Sequence, residues 1–325
     1  MEYKKISDLK LPSIGIGTWG MGGWLEKDTS YDSECVYAIK TAIKLGMTHI
    51  DTAEVYANGH AEEIVSKAIA GMQRNKLFIT TKVYRNHLHY NDVISAAKRS
   101  LRRLKTDYID LYLIHWPNPK VPLKETIRAM DYLIGAGVVK NIGVSNFSLK
   151  LLKEAQSYTK NKIVANQVEY SLLKRNAGEK LLEYCKQNDI FLIAYQPLAG
   201  GKLAKKGYKL LDEMAKKYQK TQAQVAINWL ISQDNVITIP KAMTAKHVRE
   251  NSIAAGWRMK KEDDFKLGKY FIKFHAVSKF IGKPIKLIEE FILSLLPEKA
   301  AEKLEKIYCK IIQGLSKTQK KIFSK

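Results

Sequence analysis

Short runs of β-branched and aliphatic residues recur along the chain at SIGIGT (13–18), THID (48–51), LFIT (77–80), YIDLYLIH (108–115), VKNIGVS (139–145), KIVANQ (162–167), IFLIAY (190–195) and VITIP (236–240). Runs of this length and composition predict eight strands. Between them, SECVYAIKTAIKLG, AEEIVSKAIAG, DVISAAKRSLRRL, LKETIRAMDYLIGAG, LKLLKEAQSY, AGEKLLEYCKQN and TQAQVAINWLISQ repeat their apolar residues every three or four positions. That period predicts amphipathic helices lying on a sheet, many of them closed by the Gly or Asn that favours a helix C-cap. Eight strand and helix alternations in about 250 residues predict a closed parallel α/β architecture, the (β/α)8 TIM barrel.

An open, doubly wound sheet is the competing architecture. Its mark would be GxGxxG between the first strand and a helix. Residues 15–20 read GIGTWG, but GMGGWLEKDTSYD follows, which has no helical period and suits a long loop at a barrel mouth. The first dozen residues, YKKIS and KLPSI around Asp8 and Leu9, fit a small hairpin closing the barrel floor.

With 325 residues, 46% of them hydrophobic, the chain can bury a large core, which excludes a disordered protein. The formal charge of +23 needs locating before it is interpreted. From Arg258 to Lys325 there are 17 Lys and Arg against 8 Asp and Glu, a net of +9, and the remainder holds 38 against 24, a net of +14. The excess is spread out, mostly as lysines on helix faces, and no nucleic-acid motif accompanies it, so no nucleic-acid partner is expected. Cys35, Cys185 and Cys309 are widely spaced, with no CxxC or Cys/His cluster, so neither a metal nor a disulfide framework is expected. Residues 1–10 lack a signal-peptide core and no apolar run reaches about 18 residues, which points to a cytoplasmic protein.

The strand runs end on titratable side chains. Asp51 closes THID, Lys82 closes LFITTK, His115 closes YIDLYLIH, and Tyr56 follows Asp51 by five residues in MTHIDTAEVY. Barrel enzymes place their chemistry at the C-terminal ends of strands. A tyrosine is a weak acid, with an ordinary pKa of about 10. A neighbouring lysine is expected to lower that value, a carboxylate to keep the lysine charged, and a neutral histidine to hold a carbonyl oxygen where the proton arrives.

This order of residues, with the DTAxxY spacing, the lysine after the third run and HWP after the fourth, resembles the aldo/keto reductases from about Lys10 to about Phe271. The resemblance implies a catalytic tetrad of Asp51, Tyr56, Lys82 and His115 and reversible reduction of aldehydes or ketones to alcohols by NAD(P)H. It also implies nicotinamide contacts from Ser145 and Asn146 in GVSNF (143–147), from Gln167 in NQVEY (166–170) and from Tyr195, which would stack on the ring. On the residues alone, a cap for the next helix is the alternative role of Ser145 and Asn146. In IAYQPLAGG (193–201), Pro197, Leu198 and Gly200 form a loop suited to the cofactor's pyrophosphate. In IPKAMTAKHVREN (239–251), Lys241, Thr244, Glu250 and Asn251 match the family's phosphate-binding stretch. Two positions depart from it: Ala242 stands where the family has serine, and His247 stands where it has the arginine that grips the 2′-phosphate. A histidine lacks the permanent charge and bidentate fork of arginine, so NADPH is expected with appreciable tolerance of NADH. Trp19, Trp24, Tyr84 and Trp116, on strand-end loops, are expected to line a pocket for a small carbonyl or alcohol.

The resemblance divides the chain into a barrel, 1–271, and a basic extension, 272–325. The latter holds two helical patterns, 284–296 and 297–315, each opening on proline. A hairpin packed on the barrel is one expectation for it. Peripheral contact with an anionic membrane is another. A different class of function, a nucleotide-binding regulatory subunit that senses redox state with little turnover, is the alternative to an enzyme. Oligomeric state is not legible.

Overall fold

The computed structural model describes residues 1–24, 26–175 and 178–281, with side chains as far as 272. The two helical patterns expected at 284–296 and 297–315 lie outside the described residues. The chain divides into two units, Met1–Lys269 and Tyr270–Lys325. Of the second, only the last part of one helix is described.

In the first unit, β1 (Tyr3–Ile6) and β2 (Leu9–Pro12) pair antiparallel as the expected hairpin. Eight parallel strands follow: β3 (Ile16–Gly17), β4 (His49–Asp51), β5 (Phe78–Val83), β6 (Leu111–Ile114), β7 (Ile142–Ser145), β8 (Ile163–Glu169), β9 (Phe191–Tyr195) and β10 (Val236–Thr238). Each pairs with its sequence neighbour. Parallel bridges Ile14 to Thr238 and Gly17 to Lys241 join the two ends of the sheet and close the barrel. A Cβ on Gly17 would sit 2.7 Å from the carbonyl oxygen of Ile239, so glycine is what lets the two backbones meet there.

Helices α1 (Asp32–Lys44), α2 (His60–Ile69), α3 (Tyr90–Leu104), α4 (Leu123–Gly135), α5 (Leu149–Ser157), α6 (Gly178–Gln187), α7 (Lys209–Tyr218), α8 (Gln222–Ile231) and α9 (Ala245–Ser252) alternate with the strands, and α10 (Lys261–Ile281) follows. Their starts have local causes. The Ser148 hydroxyl accepts from Leu151 N, Thr244 accepts from His247 N, and Thr221 with Gln224 forms a reciprocal capping box. α1 and α4 stop just before Gly46 and Gly137, both at positive φ.

The two-residue period of the strands sorts the interior. On β6, Leu111 and Leu113 belong to the buried cluster inside the barrel, together with Ala165 on β8, Phe191 and Ile193 on β9 and Ile237 on β10. Ile6 and Leu11 of the hairpin belong to the same cluster, so the hairpin does close the floor. A second cluster, which includes Ile50, Ile79, Ala38, Ile64 and Ile227, fills the layer between the outer strand faces and α1, α2 and α8. Continued upward by two, the inner rows pass from Leu113 to His115, from Thr80 to Lys82, from Ala165 to Gln167 and from Ile193 to Tyr195. Apart from the buried pair His49 and Thr80, the barrel interior is apolar below and polar at its C-terminal rim.

Candidate active site

At that rim the Lys82 ammonium is fully buried and has three oxygen partners. Its Nζ lies 2.5 Å from Asp51 Oδ1, 2.8 Å from the Thr52 carbonyl and 3.2 Å from the Tyr56 hydroxyl. Asp51 Oδ2 accepts a 2.7 Å bond from Gln167 Nε2. Burial works against the ammonium, but the Asp51 carboxylate and the Tyr56 oxygen more than offset it and hold Lys82 above the ordinary lysine range.

The phenol behaves differently from the sequence-based expectation. Burial pushes the Tyr56 pKa above its ordinary value; Lys82 pulls it down but does not prevail, and Asp51 adds to the rise. The reason is the depth of the hydroxyl's site, which a sequence does not display: Tyr56 is 7% exposed. The hydroxyl therefore holds its proton until charge develops beside it.

Tyr56 reaches this position through a sharp turn. Ala57 and Asn58, at φ 49° and 52°, and Gly59 at 88° all lie in the left-handed region, and Ala57 N donates to the Trp24 carbonyl at 3.1 Å. His115 packs edge-on to the Tyr56 ring, the centroids 5.6 Å apart. Burial, assisted by the Lys82 charge, lowers its pKa to about 3, so the imidazole is neutral at physiological pH.

Some of the remaining residues singled out from the sequence are linked to this cluster by contacts, and the others lie on the loops and helix that follow the barrel strands. Ser145 is buried, and Asn146, at φ 64°, links three strand ends. Its Nδ2 donates to the His115 carbonyl and to Ser145 Oγ, both at 3.0 Å, while its Oδ1 accepts from the Tyr195 hydroxyl at 2.9 Å. Ser148, not Ser145 or Asn146, caps α5. Pro197, Leu198 and Gly200 follow β9, Pro197 buried and Gly200 exposed at φ 67° with open space around its α-carbon. Lys241 Nζ lies 4.8 Å from the Trp24 ring centroid. Thr244, the N-cap of α9, and His247, in its first turn, are exposed, while Glu250 is half-buried and Asn251 buried one turn later. Trp19 stacks edge-on to Tyr56 at 4.9 Å and to Trp24 at 5.5 Å, forming one aromatic wall. Tyr84, half-buried, comes two residues after Lys82, and Trp116, exposed, comes one after His115.

Two groups at the site were not singled out from the sequence. The Thr52 carbonyl has no residue signature, being backbone. Glu54 lies in plain view inside DTAEVY, but its partners are 30 to 45 residues ahead.

A buried ammonium bridging a carboxylate and a phenol, beside a neutral imidazole at the C-terminal rim of a TIM barrel, is an arrangement able to move a proton. The sequence model of the aldo/keto reductase family matches residues 13–267. The chain belongs to the aldo/keto reductase family. It is 40% identical to methylglyoxal reductase YeaE of Escherichia coli K12 over 259 residues, 78% of this chain and 89% of that protein. With the glyoxal reductase of Bacillus subtilis 168 it is 38% identical over 255 residues, 78% of this chain and 87% of that one. Among solved structures, the thermostable aldo-keto reductase Tm1743, crystallised with the inhibitor epalrestat, superimposes with a TM-score of 0.81 at 44% identity, covering 83% of this chain and 100% of that one. An aldo-keto reductase from Klebsiella pneumoniae in complex with NADPH gives 0.76 at 34% identity, covering 83% and 96%. These are enzymes, and they lend no support to the alternative of a regulatory subunit.

Proposed function

We propose that the chain reduces small 2-oxoaldehydes, of which methylglyoxal and glyoxal are the simplest, with NADPH as reductant and Tyr56 as general acid. The observation that carries this reading is the buried Lys82 ammonium within 3.2 Å of both Asp51 and the Tyr56 hydroxyl. The names of the relatives support the substrate class, and the NADPH complex of a structural neighbour supports the cofactor.

The residues present fit a nicotinamide dinucleotide. Ser145, Asn146 and Gln167 offer a hydroxyl and two amides for a carboxamide, and Tyr195 sits beside them on the next strand but one from Ser145. Lys241 and the first turn of α9 supply positive charge and free amide donors for a phosphate. When bound, the reduced nicotinamide supplies the hydride.

The chain's own groups manage the proton. His115, neutral, presents a ring nitrogen to the carbonyl oxygen and directs it toward the phenol. As negative charge develops on that oxygen, the Tyr56 hydroxyl gives up its proton to it. The resulting phenolate is stabilised by the Lys82 ammonium at 3.2 Å, which Asp51 and the Thr52 carbonyl keep charged and aimed. The carbonyl leaves as an alcohol, and the phenolate is reprotonated from solvent. Trp19, packed edge-on against the Tyr56 ring, offers the substrate an apolar wall. Incubation of the purified protein with methylglyoxal and NADPH, followed as loss of reduced-cofactor absorbance, tests the reading. Saturable turnover is expected, and its absence with both methylglyoxal and an aromatic aldehyde overturns it.

A further inference from the structure

Among the buried charges near the site that the mechanism leaves unused is Glu54. Glu54, 8% exposed, stands between Asp51 and Tyr56 in sequence, yet its carboxylate points to a different loop. Oε1 accepts from the backbone N–H of Tyr84 at 2.7 Å and from His87 Nδ1 at 2.9 Å, and Oε2 faces Arg99 Nη2 at 3.5 Å. A carboxylate so withdrawn from water is costly unless it is held by donors, and two of its three lie in or next to the turn that follows β5. The main chain runs in parallel, Glu54 N donating to the Lys82 carbonyl at 3.4 Å.

Tyr84 lies two residues beyond Lys82, so the strand period places it on the side of β5 that faces the site. The same turn is gripped from its other flank, where Asn118 Nδ2 donates to the Arg85 carbonyl at 2.9 Å. Asn118 follows His115 and Trp116. Three loops, carrying Tyr56, Tyr84 and Trp116, are thus chained through Glu54 and Asn118, and of these two links Glu54 is the charged one.

Resting on the reading of the chain as a reductase of small aldehydes, we propose that Glu54 is a specificity-determining, positioning residue: it holds the Tyr84 wall close to the Tyr56 loop and so keeps the pocket narrow enough to orient a small aldehyde. A small substrate has few contacts of its own and depends on the walls for its approach. A bulky aromatic aldehyde fills a loosened pocket and depends on them less.

The test compares specificity constants for methylglyoxal and 4-nitrobenzaldehyde at saturating NADPH in the wild type, Glu54→Ala, Glu54→Gln and Asn118→Ala. For Glu54→Ala, kcat/KM for methylglyoxal is expected to fall about tenfold, mainly through KM, while that for 4-nitrobenzaldehyde changes less than about threefold and NADPH affinity does not change. Glu54→Gln, which keeps an oxygen acceptor for the Tyr84 amide, should recover most of the loss. Asn118→Ala, which loosens the same turn from the other flank without touching the buried charge, should shift the ratio in the same direction, and it carries the test if Glu54→Ala does not fold. Equal losses for both aldehydes, as a smaller folded fraction would give, or an unchanged ratio in Glu54→Ala and Asn118→Ala alike, would overturn the proposal. Wild-type turnover of both aldehydes with an unchanged ratio in the variants refutes the role of Glu54 alone, whereas no wild-type turnover of either refutes the reductase reading.

Discussion

Lys82 and Asp51 form the most consequential pair in the molecule because neither is tolerable in that place without the other. Removing the amine leaves the buried Asp51 carboxylate without a counter-charge, with the Gln167 amide as its remaining side-chain partner, a loss of about 3–5 kcal/mol. Lys82→Met is therefore expected to lower the urea midpoint markedly as well as turnover, whereas Lys82→Arg keeps the charge and is expected to lose turnover more than stability. Equal midpoints for wild type and Lys82→Met would contradict the ion pair. His115 makes a different prediction. With its pKa lowered to about 3 it stays neutral throughout the physiological range, so kcat should show no inflection from His115 between pH 5 and 8. A bell limb near pH 6.5 that vanishes in His115→Gln would show that the imidazole is charged in the working enzyme. At the cofactor end, His247 occupies an exposed place in the first turn of α9. His247→Arg adds a permanent charge and a fork for phosphate, and it should raise the NADPH over NADH ratio of specificity constants by about tenfold, the worth of one good charge-assisted bond. An unchanged ratio would place the 2′-phosphate elsewhere.

The elements themselves were largely legible in the sequence. All eight strand runs became barrel strands because each is short, apolar and bounded by polar residues, and the two-residue period then fixes that Lys82, His115, Gln167 and Tyr195 share one rim. The helices were legible wherever a stripe of apolar residues had to face the barrel. α7 was visible only as a lysine-flanked apolar spacing, and α9 only as a phosphate-binding stretch. What the sequence concealed is of two kinds. One is local strain: nothing in YANG (56–59) announces three consecutive residues at positive φ, two of them not glycine, although that turn is what aims the phenol. The other is depth: the rise of the Tyr56 pKa, the Glu54 grip on Tyr84 and the Thr52 carbonyl on Lys82 depend on what lies around a group, not on its neighbours in sequence. The barrel seam was also hidden. At Gly17 a methyl group would meet the Ile239 carbonyl, so Gly17→Ala should destabilise the barrel by about 1–3 kcal/mol, the usual cost of forcing an extra carbon into a packed place. A denaturant midpoint unchanged by that substitution would mean that the seam between β3 and β10 yields without cost.

For the molecule as a whole, two histidines shielded from water contribute to the response to acid. His49, bonded to Thr80 Oγ1 at 2.9 Å, and His115 both have pKa values lowered to about 3, chiefly by burial. Below about pH 6.5 the unfolded chain takes up protons that the folded chain refuses until about pH 3, so these groups cost stability as pH falls through that window, by up to about 1.4 kcal/mol per pH unit each. The urea midpoint should therefore drop between pH 7 and pH 4.5, and His49→Asn should flatten the drop. The positive charge, by contrast, is spread over the chain and bears on the rate at which an anionic cofactor arrives, which should fall with added salt. In the proposed mechanism the chemistry converges on one hydroxyl. Its direct test is Tyr56→Phe, assayed for methylglyoxal reduction alongside NADPH binding by fluorescence titration: kcat is predicted to fall about 10²- to 10⁴-fold with the cofactor's dissociation constant unchanged, whereas turnover within a few fold of wild type would show that the proton comes from another group.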